Sequence, residues 1–260
     1  MVDSNRYLPS QPVAIILAHC DDELFLYPLL KYLLPEDTYF FFLTASCRVN
    51  GSEDARRAES LRFLMLHGFL AGNIYFIGEM ASATDGELYM CLNLVDSLLN
   101  AFLVRLGIKS IISVSYEGGH HDHDACFILA HSNAVKLSSE IFSYPLYNSA
   151  NTLFFRVMDD AMIQSYTMSS AIKLRYSMNE VFSFLKSVFI YKSQWRTFLG
   201  LLPGLVRNVI LRRNFTLRKV EAFDWRTRAH SGELFYERRF KISYSEVSMA
   251  FENFLKRDGG

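Results

Sequence analysis

The sequence predicts an α/β fold, a doubly wound and mainly parallel sheet with a helical C-terminal extension packed on it. Short apolar runs of strand length alternate with longer amphipathic segments over about residues 1–160. Strands separated by helices of that length pair in parallel through right-handed crossovers. From about residue 161 to residue 260 the alternation stops and helical patterns prevail. No linker rich in Pro, Gly or Ser divides the chain, so we expect a single domain over residues 1–260.

Four strands and four helices are expected in the first part. The strands are predicted at residues 13–18, 38–44, 74–77 and 111–115, and the helices at residues 24–34, 52–67, 90–106 and 124–138. The first strand is a continuous apolar run, as in a strand that is buried on both faces. Pro35 ends the first helix, and Ser52 caps the second. Gly68 and Gly107 stand at C-cap positions. The expected arrangement is Rossmann-like.

The extension is expected to contain helices and one edge strand. Helical patterns cover residues 170–201, residues 234–238 are predicted as an edge strand, and Ser243 and Glu246 form a capping box for a final helix. Apolar residues and arginines cluster over residues 198–219, where Pro203 and Gly204 predict two short helices. We expect these helices to pack on the core with their arginines outside. The alternative, which we favour less, is a peripheral membrane contact in which the arginines bind lipid phosphates.

The composition excludes several classes of protein. Half of the 260 residues are hydrophobic, which rules out a disordered chain. Lys+Arg and Asp+Glu both number 27, so the basic excess typical of a nucleic-acid partner is absent. Four scattered cysteines without CxxC spacing indicate reduced thiols and a cytoplasmic location. Neither a signal peptide nor a transmembrane segment is predicted.

Two polar clusters interrupt the apolar pattern, one directly after the first predicted strand and the other a few residues after the fourth. The first polar cluster, residues 19–23, follows the first strand, and the second polar cluster, residues 120–124, follows the fourth. Four of the seven histidines lie in these ten residues. Both clusters are expected at the carboxyl edge of the parallel sheet, where open α/β folds bind their ligands.

Imidazole and carboxylate groups together suit a catalytic zinc ion, which takes three protein ligands. A His and a carboxylate from one cluster and a His from the other would supply that number. A neighbouring carboxylate can then act as a general base, and the remaining His can stabilise an oxyanion or protonate a leaving group. The alternative is that Asp21 or Asp22 only caps the next helix.

The clusters resemble two motifs of the PIG-L/LmbE family of zinc-dependent de-N-acetylases. Residues 18–23 read AHCDDE, similar to the family's AHPDDE motif, and residues 116–124 read YEGGHHDHD, similar to its YEGGHPDHD segment. Three weaker similarities follow: an Arg/Glu-rich turn at Arg56, Arg57 and Glu59, the YKSQ run at 191–194, and the stretch from residue 230 to residue 237, which resembles a closing segment of bacterial members.

The resemblance implies a role for each matching position. It implies His19, Asp22 and His123 as ligands of zinc (Zn²⁺), Asp21 as the general base, and His120 as the group that stabilises the intermediate or protonates the amine. The further candidates for substrate binding are Arg56, Arg57, Asp122, Tyr116 and His230. For the arginines the alternative is a solvated helix face.

Two positions depart from the family pattern. Cys20 and His121 stand where the family usually has proline, and neither proline binds metal. We expect Cys20 to be a small buried residue and His121 to face solvent or line the rim of the site.

The resemblance implies hydrolysis of an N-acetyl group from an amino sugar or its conjugate, with release of acetate. The substrate would be a small molecule, free or linked to a nucleotide, glycan or lipid, and the oligomeric state is left open. Two alternatives remain: a zinc amidase for a different amide, and a zinc-binding scaffold without activity.

Overall fold

The computed structural model describes residues 8–45, 52–150, 156–159 and 164–258, and its framework is a seven-stranded sheet. The side chains of residues 52–54, 166–170 and 258 lie outside this description, and so does the cap expected at Ser52. The strands are β1 (Val13–Leu17), β2 (Thr38–Phe42), β3 (Ile74–Phe76), β4 (Ser110–Val114), β5 (Glu140–Tyr144), β6 (Tyr147–Asn148), β7 (Arg156–Val157), β8 (Tyr166–Arg175) and β9 (Asn214–Phe223).

The strand order across the sheet is β3-β2-β1-β4-β5-β9-β8, while β6 and β7 form a separate two-stranded sheet among the described residues. The first five strands of this order are parallel to one another, as predicted. β1 pairs with β2 on one side and with β4 on the other, so the chain reverses its direction of winding between β1 and β4. Every residue of these two strands is buried, because helices cover both faces of the sheet.

The helices confirm most of the expected elements. They are α1 (Tyr27–Leu30), α2 (Ser52–Leu66), α3 (Ile77–Ala81), α4 (Leu92–Leu106), α5 (His121–Leu137), α6 (Met178–Val188), α7 (Trp195–Leu205), α8 (Phe235–Phe240) and α9 (Tyr244–Asp258). The single helix expected at residues 24–34 is instead a 3₁₀ turn, Asp22–Leu26, followed by the short α1. Pro28 stands in the first turn of α1, where its missing N–H costs nothing.

Helix α5 begins three residues earlier than predicted. The His120 side chain caps it, since Asp122 N donates a hydrogen bond to His120 Nδ1 at 3.1 Å. The second polar cluster therefore lies in the first turn of a helix and not in the preceding loop. β5, which the sequence analysis did not predict, follows α5 and pairs with β4.

The helical prediction for residues 170–201 is wrong in its first part. β8 occupies Tyr166–Arg175 and pairs antiparallel with β9, which itself pairs antiparallel with β5. Ile172 and Leu174 are buried while Lys173 and Arg175 are exposed, which is the period-two pattern of a strand. The extension thus continues the sheet of the first part. That residues 1–260 form one domain stays a prediction.

The edge strand predicted at residues 234–238 is also wrong, because α8 occupies this stretch. Glu237 at its third position accepts a hydrogen bond from Leu234 N at 2.8 Å, the capping contact that starts a helix. The final helix α9 appears where predicted. Ser243 Oγ accepts from Glu246 N at 3.1 Å, but the Glu246 carboxylate accepts from Tyr89 instead of completing the capping box.

Residues 198–219 do not form the two short helices that Pro203 and Gly204 predict. α7 runs through Pro203 and continues directly into a π-helical segment, Val206–Arg212. Arg218 and Lys219 lie on β9. Of the helices in the described ranges, none has both the length and the apolar character that crossing a bilayer requires.

Candidate metal centre and active site

The two polar clusters meet where the chain reverses its winding. β1 and β4 are neighbours in the sheet, and each leads into one cluster at its carboxyl end. This is the position at which doubly wound sheets bind ligands. The site therefore lies at the edge of the sheet where the motifs predicted it.

The first cluster is a tight loop with a strained residue at its centre. Asp21 has a φ of 137°, a conformation that costs about 1–3 kcal/mol outside glycine. Asp21 N donates to Glu23 Oε2 at 2.9 Å, and Glu23 Oε1 accepts from the Tyr191 hydroxyl at 2.6 Å. The buried carboxylate of Glu23 thus stabilises the loop through Asp21 N and connects it to the C-terminal extension through Tyr191.

The loop before α5 is held by two buried carboxyl groups. Glu117 Oε1 accepts from Leu146 N at 2.8 Å and from Tyr147 N at 2.7 Å. Asp124 Oδ1 accepts from the backbone N–H groups of Glu117 and Gly118 at 3.0 and 3.1 Å. Only glycine fits at residue 119, because a Cβ there would lie 2.0 Å from Tyr147 O. These contacts fix the loop before α5 against residues 146–147, which follow β5.

His19, Asp22 and His123 offer three ligand atoms that all lie within 4.8 Å of one another. His123 Nε2 is 3.4 Å from Asp22 Oδ1, and His19 N donates to Asp22 Oδ2 at 2.9 Å. Both ring nitrogens of buried His123 lack a hydrogen-bond partner in the described part of the chain. An unpaired buried imidazole is costly, and a metal ion would satisfy it. The three residues therefore fit a zinc ion.

The orientation of His19 supports the same ligand set. His19 Nε2 lies 3.1 Å from Asp122 Oδ2, while His19 Nδ1 faces Asp22 at 3.8 Å. A ligating His usually donates its second N–H to a carboxylate, which leaves the other nitrogen free for the metal. Asp122 is itself held by the N–H groups of Gly86 at 2.6 Å and Leu88 at 3.1 Å.

A second group of donors shares His19. It consists of His19, Asp85, His120 and Asp122. Arg56 Nη1 lies 2.8 Å from Asp85 Oδ2, so a guanidinium already neutralises this carboxylate and would repel a second cation. The group with His123 is for this reason the better metal site.

Asp21, Asp22 and His120 differ in the direction in which the fold shifts their pKa values. Burial, with the charge of Asp22, raises the pKa of Asp21 to about 7 against the opposing effect of Arg56. Burial also acts to raise the pKa of Asp22, but His123 and His19 outweigh it and lower that pKa to about 2. Burial lowers the pKa of His120 well below its usual value. Asp22 is thus a permanent anion, while Asp21 can take up a proton near neutral pH.

A cavity of about 460 Å³ opens above these groups. Residues of the two polar clusters form its floor, and residues of α7 and α8 contribute to its walls. The lining residues outside the clusters are Phe25, Arg56, Asp85, Leu146, Tyr147, Gln194, Arg196, Thr197, Phe198, Gly200, Leu201, Phe235, Arg239 and Phe240. A polar floor beneath largely apolar walls is typical of a small-molecule site.

The structure brings six of the ten sequence-predicted site residues to this cavity. They are His19, Asp21, Asp22, Arg56, His120 and His123. Asp122 lies behind His19 and does not line the cavity. Arg57 lies outside it, where its guanidinium pairs with Glu79 at 2.7 Å and stacks on Phe76.

Tyr116 and His230 are also outside the cavity. The Tyr116 ring packs in the core against Phe223, and its hydroxyl lies 3.4 Å from Trp225 O. His230 is buried beside Gly118, with Nδ1 2.9 Å from Ser231 O. Tyr116 belongs to the loop before α5, and His230 packs against that loop at Gly118.

The two departures from the family pattern have separate outcomes. Cys20 is buried, as expected, and burial raises the pKa of its thiol well above the usual value. His121, which was expected to face solvent or line the rim of the site, is instead buried. Its Nε2 donates to Gly86 O at 2.8 Å and its ring stacks on His120 with 4.5 Å between centroids. The stacked ring of His121 therefore holds the ring of His120 in place. A proline has neither an aromatic ring to stack nor a side-chain N–H to donate.

The sequence analysis did not identify Asp85 or most of the other residues that line the cavity outside the two polar clusters. Asp85 and Gly86 form a turn after α3, beyond the carboxyl end of β3, and an acid at that edge was a signal that could have been used. The wall residues Arg196, Phe198 and Phe240 belong to the extension, and no local pattern marks them.

Neither a protein-family model nor a curated protein matches this sequence. Solved structures do match. A deacetylase–bog complex from the biosynthesis pathway of teicoplanin has a TM-score of 0.62 at 12% identity, covering 82% of this chain and 98% of that one. The zinc-inhibited form of the teicoplanin deacetylase Orf2 has a TM-score of 0.60 at 12% identity, with the same coverage. The conserved protein TT1542 from Thermus thermophilus has 0.55 at 17% identity, covering 82% and 95%. At these identities the likeness shows a shared fold. The deacetylase-type fold recognised from the two motifs is thereby confirmed.

Proposed function

We propose that this protein is a zinc-dependent hydrolase that removes an N-acetyl group from an amino sugar or its conjugate and releases acetate. The observation that carries the proposal is the convergence of His19, Asp22 and His123 beside Asp21 on the floor of one cavity. The fold shared with solved deacetylases and the two motifs support the same reaction.

His19, Asp22 and His123 would hold the zinc ion. A zinc ion there supplies Lewis-acid chemistry, which polarises an amide carbonyl and lowers the pKa of a water molecule. Asp22 remains charged at neutral pH and contributes the negative charge of the ligand set. Asp122 fixes the ring of His19.

Asp21 accepts the proton of the attacking water. Burial and the charge of Asp22 raise the pKa of Asp21, which makes its carboxylate a better base for a proton that it must take up and return. Arg56 Nη2 lies 3.5 Å from Asp21 Oδ1 and orients the carboxylate. The protonated Asp21 carboxyl can then deliver this proton to the leaving amine.

His120 stabilises the oxyanion. Its Nδ1 accepts the capping hydrogen bond from Asp122 N, so the neutral ring carries its proton on Nε2. A neutral imidazole that lines the cavity can donate this N–H to the oxygen on which charge develops. Its depressed pKa keeps it in the neutral form.

The test is release of acetate and of free amine. The metal-free protein, supplied with equimolar zinc, is incubated with N-acetylglucosamine in free, nucleotide-linked, glycan-linked and lipid-linked form. Zinc is kept equimolar because one protein with this fold is known in a zinc-inhibited form. The expected result is acetate release from at least one conjugate, lost on chelation and restored by zinc.

Matched variants separate the alternatives. Asp21→Asn should slow release about 10²–10⁴-fold, and Glu36→Gln, which changes an exposed carboxylate far from the cavity, should leave it unchanged. Release of an amine from a non-acetyl or non-sugar amide alone would indicate a zinc amidase of another class. Bound zinc without turnover of any substrate would indicate a scaffold without activity.

We also propose a cytoplasmic location. Cys20, Cys91 and Cys126 are free thiols in the described part of the chain, as expected in a reducing compartment.

A further inference from the structure

The charges of this neutral chain are distributed unevenly. The chain carries 27 basic and 27 acidic residues, yet no Asp or Glu lies between Glu180 and Glu221. We call residues 181–220 the basic segment. Its cations are Lys186, Lys192, Arg196, Arg207, Arg212, Arg213, Arg218 and Lys219. Lys219 pairs with Glu140 from outside the segment, so the excess of positive charge resides on those cations of the segment that lack an acidic partner.

Helix α7 in the basic segment exposes an apolar stripe. Trp195, Leu199 and Leu202, spaced as i, i+4 and i+7, are 58%, 59% and 46% exposed. The other face of α7, with Phe198 and Leu205 among its members, is buried. Arginines face outward here as expected, and large apolar side chains face outward as well.

Cations without acidic partners accompany the α7 stripe. The side chains of Arg196, Arg207 and Arg212 are exposed, and none forms an ion pair with a described residue. Arg196 instead stacks on Trp195. Since the side chains of Trp195 and Arg196 stay together, indole and guanidinium are presented as one amphipathic group. An indole beside a cation is typical of the boundary between lipid headgroups and acyl chains.

The α7 stripe lies beside the cavity. Thr197 and Phe198 on the adjoining face of α7 line one wall, and Arg239 and Phe240 of α8 line the other. Phe240 is 42% exposed, and Arg239 is exposed without an acidic partner among the described residues. Both walls of the mouth thus carry an exposed aromatic or aliphatic group next to an exposed arginine.

The charge of the segment determines what can cover the stripe. A second copy of this chain, docked through the same stripe, would bring together two sets of arginines that lack acidic partners among the described residues. A neutral apolar partner would leave the arginines unpaired. An anionic lipid surface suits both the arginines and the α7 stripe. Headgroup phosphates pair with arginine, and the boundary of the acyl chains accepts the apolar side chains.

We propose that the α7 stripe and the arginines around it dock this protein on an anionic lipid surface, with the mouth of the cavity beside that surface. This inference does not depend on the reaction proposed above. It requires no membrane-spanning helix and predicts binding that is reversible and sensitive to salt.

The test is sedimentation of the full chain with vesicles of phosphatidylcholine, with and without phosphatidylserine, at low and high salt. Binding is expected only with phosphatidylserine and is expected to weaken at high salt. Neutralising Arg207 and Arg212 together (Arg207→Gln, Arg212→Gln) should lower the partition coefficient about 30-fold, because each cation near an anionic surface contributes about fivefold. Leu199→Ser with Leu202→Ser should weaken binding at both salt concentrations. None of these four residues lines the cavity.

Matched controls lie on α4 and beside it. Leu94→Ser with Val104→Ser removes two similarly exposed apolar groups, and Lys109→Glu reverses an exposed cation. These variants should bind as the unchanged protein does. Trp225→Phe leaves Trp195 as the only tryptophan, and its fluorescence should shift to the blue on anionic vesicles.

Several results would overturn the proposal. They are no binding to anionic vesicles at low salt, equal binding to neutral vesicles, and unchanged binding by the arginine variant. A mass that doubles with protein concentration and returns to that of a monomer in Leu199→Ser with Leu202→Ser would assign the stripe to a second copy. Because vesicle binding and acetate release are measured separately, failure of one leaves the other unaffected.

Discussion

His19 and Asp122 form a hydrogen bond that joins the two polar clusters: His19 Nε2 lies 3.1 Å from Asp122 Oδ2. Asp122 stands in the first turn of α5, and its carboxylate is also held by the N–H groups of Gly86 and Leu88. One buried carboxylate therefore sets the ring orientation of a proposed ligand and anchors the loop that carries Asp85.

Asp122→Asn should lower the affinity for zinc about 10–100-fold, because the amide replaces one of the two oxygens that hold His19 and the loop. Affinity is measured by competition with a chromophoric chelator. Asp96→Asn is the matched control, since Asp96 is another buried carboxyl, paired with Lys136 away from the cavity. Equal affinity in Asp122→Asn and the unchanged protein would remove Asp122 from the metal site.

Asp22→Ala and His123→Ala should each lose bound zinc, whereas Asp85→Asn should retain it. The reason is that Arg56 already neutralises Asp85 at 2.8 Å, while neither ring nitrogen of His123 has a hydrogen-bond partner among the described residues. Elemental analysis of the dialysed proteins gives the stoichiometry. Loss of zinc from Asp85→Asn with retention in His123→Ala would move the metal to the second group of donors.

Asp21→Asn should bind zinc normally but turn over about 10²–10⁴-fold more slowly, because an amide cannot accept the proton that a general base takes. Acetate release and zinc content are measured on the same preparation. Near-normal turnover would transfer the role of base to another carboxyl, and Glu23, whose pKa burial raises to about 7, would be examined first.

Glu117→Ala should destabilise the fold by about 2–5 kcal/mol, because it leaves the buried N–H groups of Leu146 and Tyr147 without their acceptor. Urea denaturation measures the free energy of unfolding. Glu221→Ala, at an exposed position on β9, should change it by less than about 0.5 kcal/mol. An equally small change in Glu117→Ala would mean that water replaces the carboxylate.

The raised pKa of Glu117 predicts that the stability of the fold depends on pH. Burial raises the pKa of Glu117 from 4.5 to about 8, in spite of its three hydrogen bonds. The folded chain then binds one more proton than the unfolded chain between these values, so the contribution of Glu117 to stability is complete below pH 4.5 and is lost as the pH rises to about 8.

Glu117→Gln isolates this effect, because glutamine cannot titrate. The free energy of unfolding of the unchanged protein, relative to that of Glu117→Gln, should fall between about pH 5 and about pH 8. A difference that rises or stays constant would show that the three N–H donors keep the carboxylate ionised in the folded chain.

The parallel part of the fold was predictable because its signals are local. β1 is a continuous apolar run, and α4 ends at Gly107, whose φ of 61° marks a C-cap. The β8 strand was mistaken for a helix although Ile172 and Leu174 alternate with Lys173 and Arg175. Its apolar residues are too few for periodicity alone to distinguish the two, and pairing with β9 decided the outcome.

The proposed ligands were predictable for a different reason. His19 and Asp22 stand in one short motif and His123 in another, and each motif directly follows a strand. Parallel strands end at the same edge of a sheet, so adjacency of β1 and β4 was enough to bring the motifs together.

The sequence by itself determined the four strands β1 to β4, their parallel winding and the placement of the two polar clusters at one edge of the sheet, since these follow from contiguous residues and from the rules of strand pairing. Only the tertiary structure decided what surrounds that floor. Asp85, Arg196 and Phe240 reach the cavity from three distant segments, and the burial of His121 depends on Gly86 and on the aromatic rings packed around it. Such contacts depend on side-chain packing between elements far apart in the chain, and no local periodicity encodes them.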